Sequence, residues 1–224
     1  LMVDRIKAVA GYDLYLFNST MENGIPSVWA LAKNRKQKGM NLICAAGAHL
    51  DPVRAAKSAI HELAGMMLNL DEKLEANWEK CVRMFHDPNL VQQMEDHSLL
   101  YGLPQAEERL RFLMDENRPL RTFAEEFERK ERHPDLTDDL KSILQVFRRL
   151  NLDVIVVNQT TPELMRNGLF CVKVLIPGML PMTFGHHLTR LTGLERVLQV
   201  PVELGYAKEP LTLEQLNPHP HPFP

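Results

Sequence analysis

With 224 residues the chain has enough material to bury a sizeable core, and its formal net charge of −3 supplies no basic excess for holding nucleic acid as the main partner. No apolar run approaches the roughly 20 residues that a membrane-spanning helix needs, and no signal peptide is present. The three cysteines (Cys44, Cys81 and Cys171) are an odd number, far apart and beside apolar residues, which predicts buried, reduced thiols in a cytoplasmic protein. The chain opens on Leu1-Met2-Val3, a start expected of a tag scar or a truncated N-terminus.

In chain order, 13–18 and 27–32 are rich in aromatic or β-branched residues and predict two short strands, with Glu22-Asn23-Gly24-Ile25-Pro26 as the turn between them. The basic stretch 33–38 ends at Gly39 and is expected as a solvated hairpin tip, followed by a buried strand over 41–46. Asp51 then offers an N-cap and Pro52 suits the first helical position. Val53, Ala56, Ile60, Leu63 and Met67 recur at helical spacing as the expected buried stripe, while Arg54, Ser58, Glu62 and Gly65 form a neighbouring polar one.

Residues 71–150 are expected as a charged helical layer, with helices over 72–85, 89–96 and 105–114 punctuated by Pro88, Pro104 and Pro119. Its last helix is expected to be capped by Thr137, with Asp138 and Asp139 at the positive end of the dipole and Arg148 and Arg149 at the other. Leu140, Ile143, Leu144 and Phe147 are its expected buried face. The apolar run 153–158 suits a strand covered on both faces, then Thr161-Pro162-Glu163 starts a short helix that stops at Gly168, and 170–176 is another strand. The pattern predicts an α/β (α+β) fold, a mixed sheet covered by a helical layer.

Several motifs fail on inspection. His61-Glu62-Leu63-Ala64-Gly65 begins like a zinc-protease helix, but Gly65 stands where the second His is needed. There is no Walker loop, no Gly-x-Ser-x-Gly elbow and no paired-Cys zinc motif. His186-His187 with His219 and His221 does not make a metal site by spacing alone, because adjacent imidazoles in a loop do not converge.

The tail, 217–224, is different. Its four prolines, Pro218, Pro220, Pro222 and Pro224, fix φ and bias their neighbours towards extended geometry, so it is expected as a stiff polyproline-like rod ending in a carboxylate. A loose terminus and a Pro-rich ligand for another protein are the alternatives. As an exposed rod it would add little to core stability.

Six stretches in order resemble the YcaO family. They are Gly24-Ile25-Pro26 between strands, Ala46-Gly47-Ala48-His49-Leu50-Asp51-Pro52 ahead of a helix with an internal Glu, and Asp96-His97-Ser98-Leu99-Leu100-Tyr101. The others are the run from Val154 through Gly168 to Pro177-Gly178, the stretch 179–196, and the PxPxP pattern of Pro218 to Pro222. The resemblance is to the cyclodehydratase (D-type) subunit of thiazole/oxazole-modified microcin, or bacteriocin, biosynthesis, and it spans nearly the whole chain.

That resemblance implies an ATP- and Mg²⁺-dependent enzyme. A Cys, Ser or Thr side chain of a ribosomal precursor peptide attacks the preceding amide carbonyl, the amide oxygen is phosphorylated, and loss of phosphate leaves a thiazoline or oxazoline. It implies Glu62 as a metal-linked ATP contact, with Arg54 and Ser58 on the same site-lining face, and catalytic service from Pro218, Pro220, Pro222 and Pro224. A surface Glu on an amphipathic helix stays open as the alternative for Glu62. Ser58 and Gly65 depart from the Arg and Gln of many members, and the family's first ATP-binding segment has no counterpart before Tyr12. The resemblance therefore implies the C-terminal part of a YcaO domain, inactive alone. Implied partners are an E1-like (ThiF-related) scaffold protein, the precursor peptide and a flavin-dependent dehydrogenase. The other reading is a non-catalytic YcaO-like module that docks on a partner through its tail.

Overall fold

The computed structural model describes residues 2–36, 38–115, 117–127 and 134–224. The chain divides into two units, one comprising residues 1–130, 182–189 and 212–224, the other 131–181 and 190–211.

The first unit is built on a three-stranded antiparallel sheet in the order β1 (Tyr12–Asn18), β2 (Ser27–Asn34), β3 (Leu42–Ala48). Ahead of it α1 (Met2–Arg5) runs into a π-helical turn, Ile6–Ala10, that ends at Gly11 with φ +73°. The three expected strands are all present. In the connection after β1 the Asn23 side chain accepts a 2.9 Å hydrogen bond from the Ile25 amide. Such a short link returns β2 antiparallel to β1. Every described strand pairing is antiparallel, so the expected mixed sheet resolves into two antiparallel sheets within an α+β fold.

α2 (Pro52–Met66) packs on β2 and β3. Asp51 caps it by accepting from the Val53 amide at 3.0 Å, with Pro52 in the first turn. The buried stripe is Ala55, Ala56, Ala59, Ile60 and Leu63. Val53, expected in that stripe, is 49% exposed. The reason is proximity: the helix lies so close to β3 that its contact line is drawn by alanines, opposite a glycine, Gly47.

α3 (Leu70–His86) kinks at Asn77, whose side-chain amide donates to the Lys73 carbonyl at 2.8 Å. The helix expected over 89–96 is instead a 3₁₀ turn, Pro88–Leu90, followed by α4 (Met94–Leu100). Asp96 explains the difference. Its carboxylate accepts from the amides of Gln92 and Gln93, both at 3.1 Å, so it caps the start of a new helix. Its other oxygen takes Lys80. A 3₁₀ run, Pro104–Leu113, and α5 (Phe123–Glu126) follow. The end of α4 is tied to the sheet where the Asn41 and Leu42 amides donate to the carbonyls of Gly102 and Tyr101, both at 3.0 Å.

In the second unit α6 (Leu136–Arg149) is capped by Asp135, which accepts from the Thr137 amide at 2.8 Å, rather than by Thr137 itself. Of its expected buried face only Phe147 is buried. β4 (Ile155–Asn158) and β5 (Val172–Leu175) pair antiparallel and are joined through α7 (Pro162–Arg166), which Thr161 caps. Both strands are exposed along their whole length, against the expectation of a strand covered on both faces. Two strands bring too little surface to cover each other. Cys171 lies beside them and is exposed, so only Cys44 and Cys81 are the expected buried thiols. α8 (Glu195–Glu203) completes this unit. Among the described residues no helix is long and apolar enough to cross a membrane.

Candidate functional site

The end of the tail is neither loose nor exposed. Pro220 and Pro222 are buried and Phe223 packs against the core of the first unit. A polyproline segment satisfies none of its own carbonyls, so burying it requires donors from elsewhere. Two come from α4 and the residue that caps its C-terminus. Tyr101 Oη donates to the Pro220 carbonyl at 2.5 Å, and His97 Nδ1 donates to the His221 carbonyl at 2.9 Å. Burial pushes the Tyr101 phenol up to about 12, so it remains a donor.

A second anchor lies in residues 182–189, where the Thr183 carbonyl accepts from His221 Nε2 at 2.9 Å. These bonds fix the tautomers. His97 carries its proton on Nδ1 and His221 on Nε2, and the two rings stack at 3.8 Å, 10° from parallel. Phe223 then meets the Trp29 ring at 4.9 Å. The imidazoles are stacked on each other and bonded to carbonyls, and no group of three or more His, Cys, Asp or Glu side chains among the described residues is placed to hold a metal.

Beyond Phe223, Pro224 lines an open pocket of about 260 Å³ together with Glu62, Asn69, Lys73, Glu95 and Ser98. The structure thus brings Glu62 and the last residue of the tail to one place. Arg54 and Ser58 are exposed on the same face of α2, two turns and one turn before Glu62 respectively, and do not line this pocket. Arg54 lies 3.9 Å from the Asp51 carboxylate. Pro218 is exposed, the remaining tail prolines less so. Within the pocket Lys73 is bonded to Glu95, whereas Glu62 pairs with no cation among the described residues. Ser98 is 3% exposed and its hydroxyl has no hydrogen-bond partner among them.

A buried hydroxyl without a partner is costly, and one on a pocket wall is suited to a polar ligand. Mg²⁺ on a nucleotide takes one or two carboxylates, the phosphates and water supplying the rest, so Glu62 is of the right chemistry. The residues present therefore fit a metal-linked phosphate. Sequence reasoning did not single out His97 and Tyr101 as the side chains that hold the tail, nor Ser98 as part of the pocket. The available signal was the spacing of His97 and Tyr101 by one helical turn.

Burial lowers the His97 pKa from an ordinary 6.5 to about 4; the neighbouring charges of His221 and His186 push the same way, while the His221 carbonyl and Asp96 oppose. The unfolded chain therefore binds more protons between these two values, so stability is fully present above pH 6.5 and is lost as pH falls towards 4. His186 and His219 are shifted in the same direction. The urea midpoint should fall from pH 6.5 to 4.5, and His97→Asn should make that dependence shallower. An identical pH slope in both proteins would refute this account of His97.

A family model described as YcaO cyclodehydratase, ATP- and Mg²⁺-binding, matches residues 1–180. Two solved structures are similar. One is described as the structure of the heterocyclase TruD, with a TM-score of 0.69 and 26% identity over 98% of this chain. The other is described as a heterocyclase in complex with substrate and cofactor, with a TM-score of 0.68 and 27% identity over 98% of this chain. In both cases the match covers 26% of the solved chain, so this chain spans about a quarter of their length. No curated protein matches.

Proposed function

This chain belongs to the YcaO family, and from that premise we propose that it forms part of an ATP-dependent cyclodehydratase acting on Cys, Ser or Thr of a ribosomal precursor peptide. The observation that carries the reading is the meeting of Glu62 and Pro224 in one pocket. Glu62 stands ready for a metal-linked phosphate, and the tail presents a rigid end to the same space. Because the chain spans about a quarter of the heterocyclases it resembles, turnover is assigned to the enzyme that carries this chain.

Bound Mg-ATP supplies the phosphoryl group that makes the amide oxygen able to leave. The chain's own residues do the positioning. Glu62 would hold the nucleotide through its metal, and the Ser98 hydroxyl offers a hydrogen bond at the pocket wall. Pro220, Pro222 and Pro224 keep the end of the tail in one conformation beside the peptide, which lowers the ordering cost of the reaction. Arg54 and Ser58 serve the outer approach to the site on the same helix face. The E1-like scaffold presents the precursor peptide, and a flavin-dependent dehydrogenase is the further partner of this reading; a cytoplasmic location accompanies it. The alternative, a module that docks on a partner through its tail, is disfavoured because Pro220 and Pro222 are buried within the chain's own first unit.

Glu62→Gln tests the proposal at almost constant shape. Losing a contact to a charged group costs about 1.5–3 kcal/mol, so ATP use should weaken about 10- to 100-fold in the enzyme that carries this chain, with an unchanged thermal melt. Unaltered ATP dependence would return Glu62 to an ordinary solvated face.

A further inference from the structure

We infer that His97 and Tyr101 are positioning residues that clamp the proline tail and set where its last residue ends. The inference rests on the tail's role in the proposed function, but it is carried by separate observations. His97 on α4 and Tyr101, the residue that caps its C-terminus, lie one turn apart and donate to the consecutive carbonyls of His221 and Pro220. Tyr101, the later of the two, holds the earlier carbonyl of the tail, so tail and helix run antiparallel. That direction carries Pro224 back towards the start of α4, where Met94, Glu95 and Ser98 line the same pocket.

Each part of the clamp is itself fixed. The backbone of Tyr101 is bonded to the first residue of β3, and Asp96 caps the helix while holding Lys80. The stacked rings add a face-on contact, and His221 is held from its far side by the Thr183 carbonyl. A slip of the tail by one residue would offer each donor a different carbonyl and draw Phe223 off Trp29. The segment Asp96 to Tyr101 thereby acquires a division of labour: Asp96 places the helix, and His97 and Tyr101 place the tail.

The tail's position can be read from Trp29, since Phe223 packs on its ring and the second tryptophan, Trp78, can be replaced by Phe. In that background, acrylamide quenching of Trp29 should rise in Tyr101→Phe and in His97→Ala. In the double variant it should approach the level of a chain lacking 217–224. Each lost bond should lower the docked-to-undocked ratio about tenfold. His97→Asn, which keeps a donor near the Nδ1 position, should recover part of the loss, as no generic core defect would. In the enzyme that carries this chain, kcat for ring formation should fall with little change in KM for the peptide. Unchanged quenching in Tyr101→Phe, which removes one oxygen and keeps the ring, would overturn the clamp even if the His97 variants fail to fold. Released tails with undiminished ring formation would uphold the clamp and remove the catalytic reading of the tail instead.

Discussion

Deleting 217–224 should abolish most ring formation by the enzyme that carries this chain and should also lower the thermal stability of the chain itself. The second effect departs from the behaviour of an exposed rod. The deletion removes two hydrogen bonds to buried donors on α4 and at its C-terminal cap, a stacked imidazole pair and the Phe223 contact with Trp29. A hydrogen bond is worth about 0.5–1.5 kcal/mol and an aromatic pair about as much, so a loss of about 3 kcal/mol is expected before the exposed apolar surface is counted. For a chain of this size that corresponds to a fall in melting temperature of about 6–12 °C. Pro220→Gly with Pro222→Gly separates the two effects. It keeps the carbonyls, His221 and Phe223 but returns freedom to the undocked tail, so ring formation should drop more than stability does. Three measurements on the same variants decide the matter: mass-spectrometric counting of rings, nucleotide affinity and a thermal melt. Full cyclisation by the truncated enzyme would end the catalytic reading of the tail.

What the sequence made legible was whatever is decided locally. The strands of the first sheet, the Asp51 cap and the helix behind it follow from periodicity and turn chemistry, and they appear where expected. Errors arose where one particular side-chain bond, or a surface far along the chain, decides. Asp96 looks like the end of a helix until its carboxylate is seen to bond two amides that precede it. The continuous apolar run at Ile155 reads as a buried strand, yet its burial depends on a covering surface that the strand itself does not encode. Glu62 was identified through family resemblance, since nothing local separates it from a solvated Glu on an amphipathic helix. The tail's stiffness was plain from its prolines. Its destination was not, because the donors that receive it stand more than a hundred residues earlier.

Gly47→Ala should be the most destabilising single-methyl change in the first unit. Its backbone is not the reason, for Gly47 does not adopt a positive φ. The reason is the space above it. A Cβ at this position would lie 2.3 Å from the Ala55 carbonyl oxygen, 2.8 Å from the Ala59 amide and 3.1 Å from Ser58 Cβ. The first two are backbone atoms of α2, which no side-chain rotation can move, so the helix must lift as a body from β3. Lifting it opens the contacts of Ala55, Ala59 and Leu63, all fully buried. Overpacking usually costs about 1–3 kcal/mol, and a clash with rigid backbone belongs at the upper end. The same movement carries Glu62 and Ser58 away from their places, so nucleotide use should weaken along with stability. Gly65→Ala is the control on the same helix, because a Cβ there meets nothing within 4 Å. It should leave the fold intact and gain slightly from helix propensity. Denaturant midpoints of the two variants give the answer: a Gly47→Ala protein as stable as Gly65→Ala would show that α2 does not need this close approach to the sheet.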